Sequence, residues 1–412
     1  MPACAYSLIG GTLGAETLSL TTERPAHAGA GDSARAGIVS PVGVTRMSLS
    51  EALALGPAVW DGVLARAELP SPFMSWAWHH AWADAAPVAE VAASEALVLW
   101  GDGGGVKGFL PLGHRRVAFH RVPVAALTWA IGDLGCPDHL DVPAAASEVE
   151  ALVPVLEELR WQVLILSNLA ANAPTARRLC EAMVARGFAL RRRSSWGCPY
   201  LDLCNDWEAY LATLTPTRRQ MLRRKERNLQ RRYSVAITDY EGDRLDEGWG
   251  RLVTLHEQRW KGAGALHLPT LGRLHRGFAS ELAVRGELWL TTLDLDGEPA
   301  AAWYGFTNGD TVYFYQSGRD PRWERESVGL VLMGAMIRRA IERGYQRFDF
   351  LRGEDVYKRQ WTQTQRVTED ITIFRPGWRG RGLRALDAAA ELRDRLRVHA
   401  GRDATAGVPD HA

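Results

Sequence analysis

The spacing of apolar and polar residues changes several times along the chain, and each change predicts an element. Residues 51–67 and 245–260 carry apolar side chains at helical spacing. A helix opened by Ser71-Pro72 and running to Trp82 puts Phe73, Trp76, Trp78 and Trp82 on one face. Residues 96–100 and 106–112 flank Gly101-Asp102-Gly103-Gly104-Gly105 as a hairpin, and residues 287–294 and 299–306 flank Asp296-Gly297 as another. Further strands are predicted over 42–47, 125–131, 161–167, 234–240 and 368–374, and helices over 147–160, 175–186, 217–232, 271–284 and 383–398. Gly187 ends the helix before it.

Residues 311–361 organise the rest. Residues 311–316 are β-branched and aromatic and read as a strand, which Ser317-Gly318 ends; Asp320-Pro321 begins a loop. Ser327 can cap a helix whose apolar residues include Val328, Val331, Leu332, Ala335, Met336 and Ile341, with Gly344 as its stop. Residues 348–351 are a second strand. Strand, helix, strand gives a parallel pair with a right-handed crossover. The helix then starts near the carboxyl end of the first strand, where its free amides and positive dipole end favour an anion. Gly329, in the first turn, lets a phosphate approach the backbone. Many α/β folds carry such a helix and bind nothing there, so spacing alone leaves both readings open.

The segments Tyr315-Gln316-Ser317-Gly318, Ser327-Val328-Gly329-Leu330 and Phe348-Asp349-Phe350-Leu351-Arg352-Gly353 resemble the GNAT acyltransferase superfamily. With Tyr357-Lys358, Trp361 and the upstream Ser71-Pro72-Phe73, Trp76 and Trp78, they are more narrowly similar to BioF2-like or CelD/BcsL-type acetyltransferases, relatives of the Fem peptidoglycan aminoacyl transferases. The resemblance spans residues 45–375. It implies an α/β (α+β) fold of tandem GNAT-like domains, each a mixed twisted sheet flanked by helices. It also implies an acyl-CoA whose pantetheine arm lies beside the splayed strand at Gln316, Ser317 and Gly318. The pyrophosphate would meet the helix start at Ser327, Val328, Gly329 and Leu330. One departure stands out: the superfamily loop reads Gln/Arg-x-x-Gly-x-Gly/Ala, and here Glu326 leads and Val331 fills the last position.

Composition adds boundaries. With 412 residues, 46% hydrophobic and 24% charged, the chain is long enough for two cores and ordinary for a globular protein. A net charge of +1 exerts no global pull on nucleic acid or anionic membrane. Lys107, Lys225, Lys261 and Lys358 are the only lysines; arginine supplies the remainder of the 49 basic residues, a bias that fits a GC-rich genome. Cys4, Cys136, Cys180, Cys198 and Cys204 form no CxxC pair, so no metal is expected and a cytoplasmic setting is. The 16 tryptophans read first as core and interface packing. No apolar run reaches membrane-spanning length, and the start MPACAYSLIGG lacks a basic signal-peptide region. Residues 1–40 read as a flexible tail, with Met47 an alternative start; 41–205 and 206–400 as the two domains; and 401–412 as a frayed end.

Three polar features need a reading. His79 and His80 are neighbours on a helix and point apart, which suits structure rather than a metal pair. Gly132 to Asp141 (GDLGCPDHLD) could hold a metal or polar substrate through Asp133, Asp138, His139 and Asp141, but solvated turn chemistry is the simpler expectation. The basic stretch 217–232 should be a helix with Met221 and Leu222 inward; a solvated surface, an anionic ligand and RNA are its three readings.

Direct acyl transfer needs a deprotonated nucleophile, a polarised carbonyl and a proton for the leaving thiolate. The resemblance puts Tyr357 forward as the acid. Asp349, set opposite to Phe348 and Phe350, is a candidate base if burial raises its pKa, or a salt-bridge partner of Arg352 or Arg347. Glu354, Asp355 and His256 are further candidates. Arg352, Glu354, Lys358 and Trp361 are expected to meet the acceptor. The expected function is transfer of acetyl from acetyl-CoA to an amine or hydroxyl of a small-molecule or saccharide-linked acceptor, in polysaccharide biosynthesis or another pathway. The alternatives are a Fem-type transferase that uses aminoacyl-tRNA, and a non-catalytic binding protein with the same fold.

Overall fold

Among the described residues, twelve strands join edge to edge in one mixed sheet, built by two stretches of chain that follow the same itinerary. The computed structural model describes residues 43–261, 264–353 and 355–406; the expected N-terminal tail, Glu354 and residues 407–412 lie outside the described residues. The first stretch lays down β1 (Val44–Ser48), β2 (Ser94–Trp100), β3 (Val106–Phe119), β4 (Val122–Trp129), β5 (Val163–Ala170) and β6 (Ala189–Asp202). The second lays down β7 (Val235–Asp239), β8 (Leu288–Leu295), β9 (Glu298–Asn308), β10 (Thr311–Arg319), β11 (Arg347–Asp349) and β12 (Gln365–Phe374). In each, four antiparallel strands are followed by a crossover helix, a strand parallel to the fourth, and a returning antiparallel strand.

The returning strands are exchanged. The spatial order is β1-β2-β3-β4-β5-β12-β6-β11-β10-β9-β8-β7, so β12 pairs with β5 and β6 with β11. Every edge at the middle of the molecule is paired by the other stretch, which removes two exposed edges at once.

No element was expected over 189–202, yet β6 lies at the centre of the sheet. Its first half is a run of arginine and serine without apolar alternation, and partners elsewhere explain those charges. Asp387 of the C-terminal helix Trp378–Ala406, only 1% exposed, takes Arg193 at 2.7 Å, Arg191 at 2.8 Å and His120 at 2.7 Å. That helix begins earlier than the predicted 383–398 and continues through the first part of the expected frayed tail.

The tryptophan face behaves as its spacing predicts. Phe73, Trp78 and Trp82 are buried, Phe73 within a short 3-10 turn before the helix Trp76–Ala85, while Trp76 is half-buried and stacks on His80 at 4.1 Å. Trp78 meets Phe278 of helix Pro269–Val284 edge-on at 5.0 Å, and Gly277 admits Ala81 so closely that an added Cβ would stand 3.2 Å from the Ala81 methyl. The basic helix Pro216–Arg232 turns Leu222 and Leu229 inward, with Met221 half-buried, and Arg218 lies 4.7 Å over the Trp361 ring.

The Gly132 to Asp141 loop is neither a metal site nor a solvated turn. It is the joint between the halves. The Asp138 carboxylate takes the Arg352 backbone amide at 2.8 Å and Arg352 Nε at 2.7 Å. Asp133 takes Arg352 Nη1 at 2.9 Å and Asn168 Nδ2 at 2.7 Å, and the Pro137 carbonyl accepts from Arg352 Nη2 at 2.5 Å. Asp141 accepts the Thr175 and Ala176 amides at 3.2 and 2.7 Å at the start of helix Pro174–Ala185. Among the described residues no group of His, Cys, Asp and Glu could hold a metal ion, and no helix is long and apolar enough to cross a membrane.

A buried charge stripped of its partner is expensive. Arg352→Met should therefore lower unfolding stability by about 3–5 kcal/mol, read by urea denaturation. A loss under about 1 kcal/mol, the range of a surface pair, would show that the joint is not a stabilising element.

Candidate active site

The parallel pair of β10 and β11 lasts three positions, Thr311 with Arg347, Val312 with Phe348 and Tyr313 with Asp349. β11 then ends, while β10 runs on beside β9 to Arg319 with a bulge between Phe314 and Gln316. A gap opens along Phe314 to Arg319. The chain beyond β11 turns the other way: Phe350 donates its amide to the Pro199 carbonyl at 2.9 Å, Leu351 takes a positive φ of 55°, and Arg352 is held by Asp138.

The crossover helix Val328–Glu342 starts beside this gap. Ser327 does not cap it through its side chain, as the sequence suggested. Its backbone is left-handed (φ 59°), and its carbonyl accepts the Leu330 and Val331 amides at 3.0 and 3.2 Å. The amides of Val328 and Gly329 therefore have no acceptor among the described residues. Gly329 is exposed, and a Cβ there would meet only Arg319 Cδ, at 3.9 Å. Leu330 is half-buried and packs on the core of this half. Glu326 points to Tyr233, whose hydroxyl donates to it at 3.4 Å.

Helix Leu245–Trp260 closes the opposite wall. Gly318 lies against it so tightly that a Cβ would fall 2.4 Å from the His256 amide nitrogen, which explains the glycine. Gln316 hydrogen-bonds the His256 ring. Burial, with His267 and Arg259 nearby, pulls His256 down to about 4, so the ring is neutral at pH 7. Arg259 Nη1 donates to the Ser317 hydroxyl and, at 3.4 Å, to the Ser317 carbonyl, and its guanidinium lies 5.9 Å from the centre of the Tyr357 ring, which it also hydrogen-bonds. Burial pushes the Tyr357 phenol up, against the pull of Arg259, which keeps it protonated. Gln316, Ser317, Gly318, Tyr357, His256 and Arg259 thus come together. Arg259 was not singled out from the sequence; it stands in the last turn of a predicted helix, and its place beside β10 comes from the fold.

Of the remaining expected site residues, Asp349, Arg352, Lys358 and Trp361 belong to the joint or the core, and Glu354 lies outside the described residues. Asp349 is not a base with a raised pKa. Its burial alone would push it up, but His139 at 3.2 Å, Arg366 at 2.5 Å and the Leu351 amide at 2.8 Å outweigh that and hold it below its ordinary value. Its partners are His139 and Arg366 rather than Arg352 or Arg347. Arg352 is committed to Asp133 and Asp138. Lys358 is buried, and its Nζ donates to the Leu351 and Arg352 carbonyls at 3.2 and 2.6 Å, fixing the turn after β11. Trp361 is 3% exposed under Arg218, and its carbonyl accepts from the Tyr210 hydroxyl at 3.2 Å, so it packs rather than faces a ligand.

The corresponding gap of the first half is filled. β4 and β5 pair only at Ala126 with Val163 and Leu127 with Leu164. Leu140 then enters alongside β5, donating to the Asn168 carbonyl at 2.9 Å and accepting from the Ala170 amide at 3.0 Å.

Residues 216–359 match the acetyltransferase (GNAT) domain family. The crystal structure of FemX is similar at 10% identity and a TM-score of 0.53, over 77% of this chain and 95% of that one. L-PGS from Bacillus licheniformis is similar at 12% identity and a TM-score of 0.50, over 83% of this chain and 96% of that one. A conserved protein of unknown function from Bacteroides thetaiotaomicron VPI-5482 gives 12% identity and 0.50, over 78% and 98%. No curated protein matches the chain. Residues 216–359 thus carry a match to the GNAT acetyltransferase domain, and the chain shares its fold with FemX over most of its length.

Because the folded-state pKa of Asp349 is depressed, its ionic contribution is fully present above the unfolded value near about 4 and is lost as pH falls through the folded value. Stability should drop on acidification below about pH 4. Asp349→Asn should be less stable at pH 7 and should flatten that acid limb in denaturation curves collected from pH 7 to 3. An unchanged limb would assign the acid sensitivity to other carboxylates.

Proposed function

We propose that this protein is an acyltransferase that moves an acyl group, acetyl from acetyl-CoA, directly to an amine or hydroxyl of a small-molecule or saccharide-linked acceptor. The observation that carries the reading is the gap along Gln316, Ser317 and Gly318, set below two helix-start amides without an acceptor, at Val328 and Gly329. A thioester arm fits such a gap as an extra edge against β10, and a pyrophosphate fits the helix start, with the Arg319 side chain next to Gly329. The GNAT match over residues 216–359 supports the same donor class.

In this reading the acceptor's nitrogen or oxygen forms a bond to the thioester carbon as the carbon–sulfur bond breaks. The proton it sheds passes to the neutral His256 ring, and the departing thiolate takes the Tyr357 proton. Backbone amides of β10 polarise the carbonyl, a term that is often the largest in acyl transfer. The roles of Asp349, Arg352 and Lys358 are positional: they hold the turn that keeps the gap open.

A donor other than CoA is the second reading. Glu326 favours it, since a carboxylate at the helix start opposes a pyrophosphate. A Fem-type aminoacyl-tRNA donor is the form the FemX-like fold suggests.

Calorimetric titration with acetyl-CoA separates the two, and saturable binding is expected. Gly329→Ala sharpens the test, because its methyl has room in the fold. The variant should be as stable as the parent or more stable, by up to about 1 kcal/mol. It should bind acetyl-CoA roughly tenfold more weakly, the cost of one charge-assisted hydrogen bond. Absence of acetyl-CoA binding by the parent protein would remove the CoA reading. In thiol-release assays, Tyr357→Phe should lower turnover by about 10²-fold or more with donor affinity unchanged.

A further inference from the structure

Arg259 differs from the other arginines buried around the joint. Arg352 is enclosed by Asp133 and Asp138, and Arg366 by Asp349. Arg259 is partly buried, yet no carboxylate among the described residues lies within ion-pair distance of it. Its neighbours are the Ser317 hydroxyl and carbonyl, the Tyr357 phenol and the Trp260 ring, 4.7 Å below the guanidinium. Loss of hydration lowers its pKa, and Arg319 nearby adds repulsion. A guanidinium held in place without an anion is costly unless something supplies one.

The surroundings carry the same signature. His256, 1% exposed, has its Nδ1 buried without a partner, and the Trp260 Nε1 and His267 Nε2 atoms are also buried without partners. All three lie in the last turn of helix Leu245–Trp260 or the 3-10 turn Ala265–His267 that follows. Such atoms occur elsewhere in the fold too, but here they stand beside a guanidinium that lacks an anion, where a polar ligand would satisfy both. The Arg259 guanidinium and the Trp260 indole are donors only, while a neutral histidine ring offers one donor and one acceptor. The nearest acid of the helix, Glu257, is 3.9 Å from His267 Nε2 and largely exposed, and Asp355 lies beyond ion-pair reach of Arg259.

Resting on the gap as the transfer site, we propose that Arg259 docks a carboxylate carried by the acceptor, so that the acceptor is an amino- or hydroxy-acid rather than a neutral amine or sugar. The fork of the guanidinium matches a carboxylate in two-point contact, and stacking on Trp260 fixes its plane. The acceptor's nucleophile is thereby set toward Gln316 and the thioester carbon, while its acid group neutralises the cation that the fold leaves bare.

The test uses an acid and amide pair that resembles an acetylated product, N-acetylglycine and N-acetylglycinamide. Each is titrated into the full-length protein, with and without saturating CoA, while the Arg259 Nε–H signal is followed by NMR. The acid should bind at least tenfold more tightly than the amide and should move that signal. Arg259→Met should abolish the preference, and Arg259→Lys, which keeps the charge without the fork, should retain part of it, with thermal melting checking that both variants fold. Equal binding of acid and amide, or no movement of the Arg259 signal, overturns the proposal. So does an Arg259→Met effect confined to acetyl-CoA and absent with S-acetylpantetheine, which would give the guanidinium to the donor's phosphates. Calorimetry with acetyl-CoA stands apart: its failure would sink the donor reading while the acid and amide comparison remained informative.

Discussion

β10 and β11 stay together for three residues and then part, and the site depends on that parting. Strands in a sheet do not separate without a cause, because each broken rung leaves an amide and a carbonyl to satisfy. Here the cause is on the far side of β11. The chain after Asp349 is drawn off β10 by three attachments to the other half: the Phe350 amide to Pro199, the Arg352 amide to Asp138, and the Arg352 side chain to Asp133 and Asp138. Asp349 completes the turn by accepting from Leu351, whose left-handed backbone sends the chain in the new direction. The charges that look catalytic in the sequence are the ones that hold the gap open.

The exchange of β6 and β12 gives this arrangement its rigidity. Each half's sheet is closed by the returning strand of the other half, and the two returning strands pair with each other, so neither half can shift without breaking rungs in both. The helix contact between Trp78 and Phe278 adds an apolar clamp on one face. A cleft held by a split sheet suits a transferase, whose barrier is lowered by dipoles fixed before the reactants arrive.

The two halves share an order of strands but differ where it matters. Both crossover pairs separate early. In the first half Leu140 repairs the break by bonding to β5, and the loop that carries it is the one that supplies Asp133, Asp138 and His139 to the joint. The first half has given up its own gap to support the second. The charges divide the same way: Arg352 and Asp138 are matched in the joint, while Arg259, beside the open gap, has only hydroxyl, carbonyl and ring neighbours.

The sequence by itself determined the local elements and the class of fold. The alternation of residues 311–316, the helix spacing from Val328 and the Gly344 stop place a strand, a crossover helix and a parallel strand, because those periods are set by backbone geometry within a few residues. The match of Ser327-Val328-Gly329-Leu330 and Phe348-Asp349-Phe350-Leu351-Arg352-Gly353 to GNAT proteins supplied the rest of the class. Tertiary structure alone decided which charges were structural. Asp349 and Arg352 stand beside each other in the chain's motif, but their partners are His139, Asp133 and Asp138 of one loop more than 200 residues upstream, with Arg366 of β12. The same holds for β6, which the sequence pattern did not predict and whose Arg191 and Arg193 are neutralised by Asp387, nearly 200 residues away. Hydrophobic period is a property of neighbours in sequence, whereas the fate of a charge is set by which opposite charge the completed sheet brings within reach.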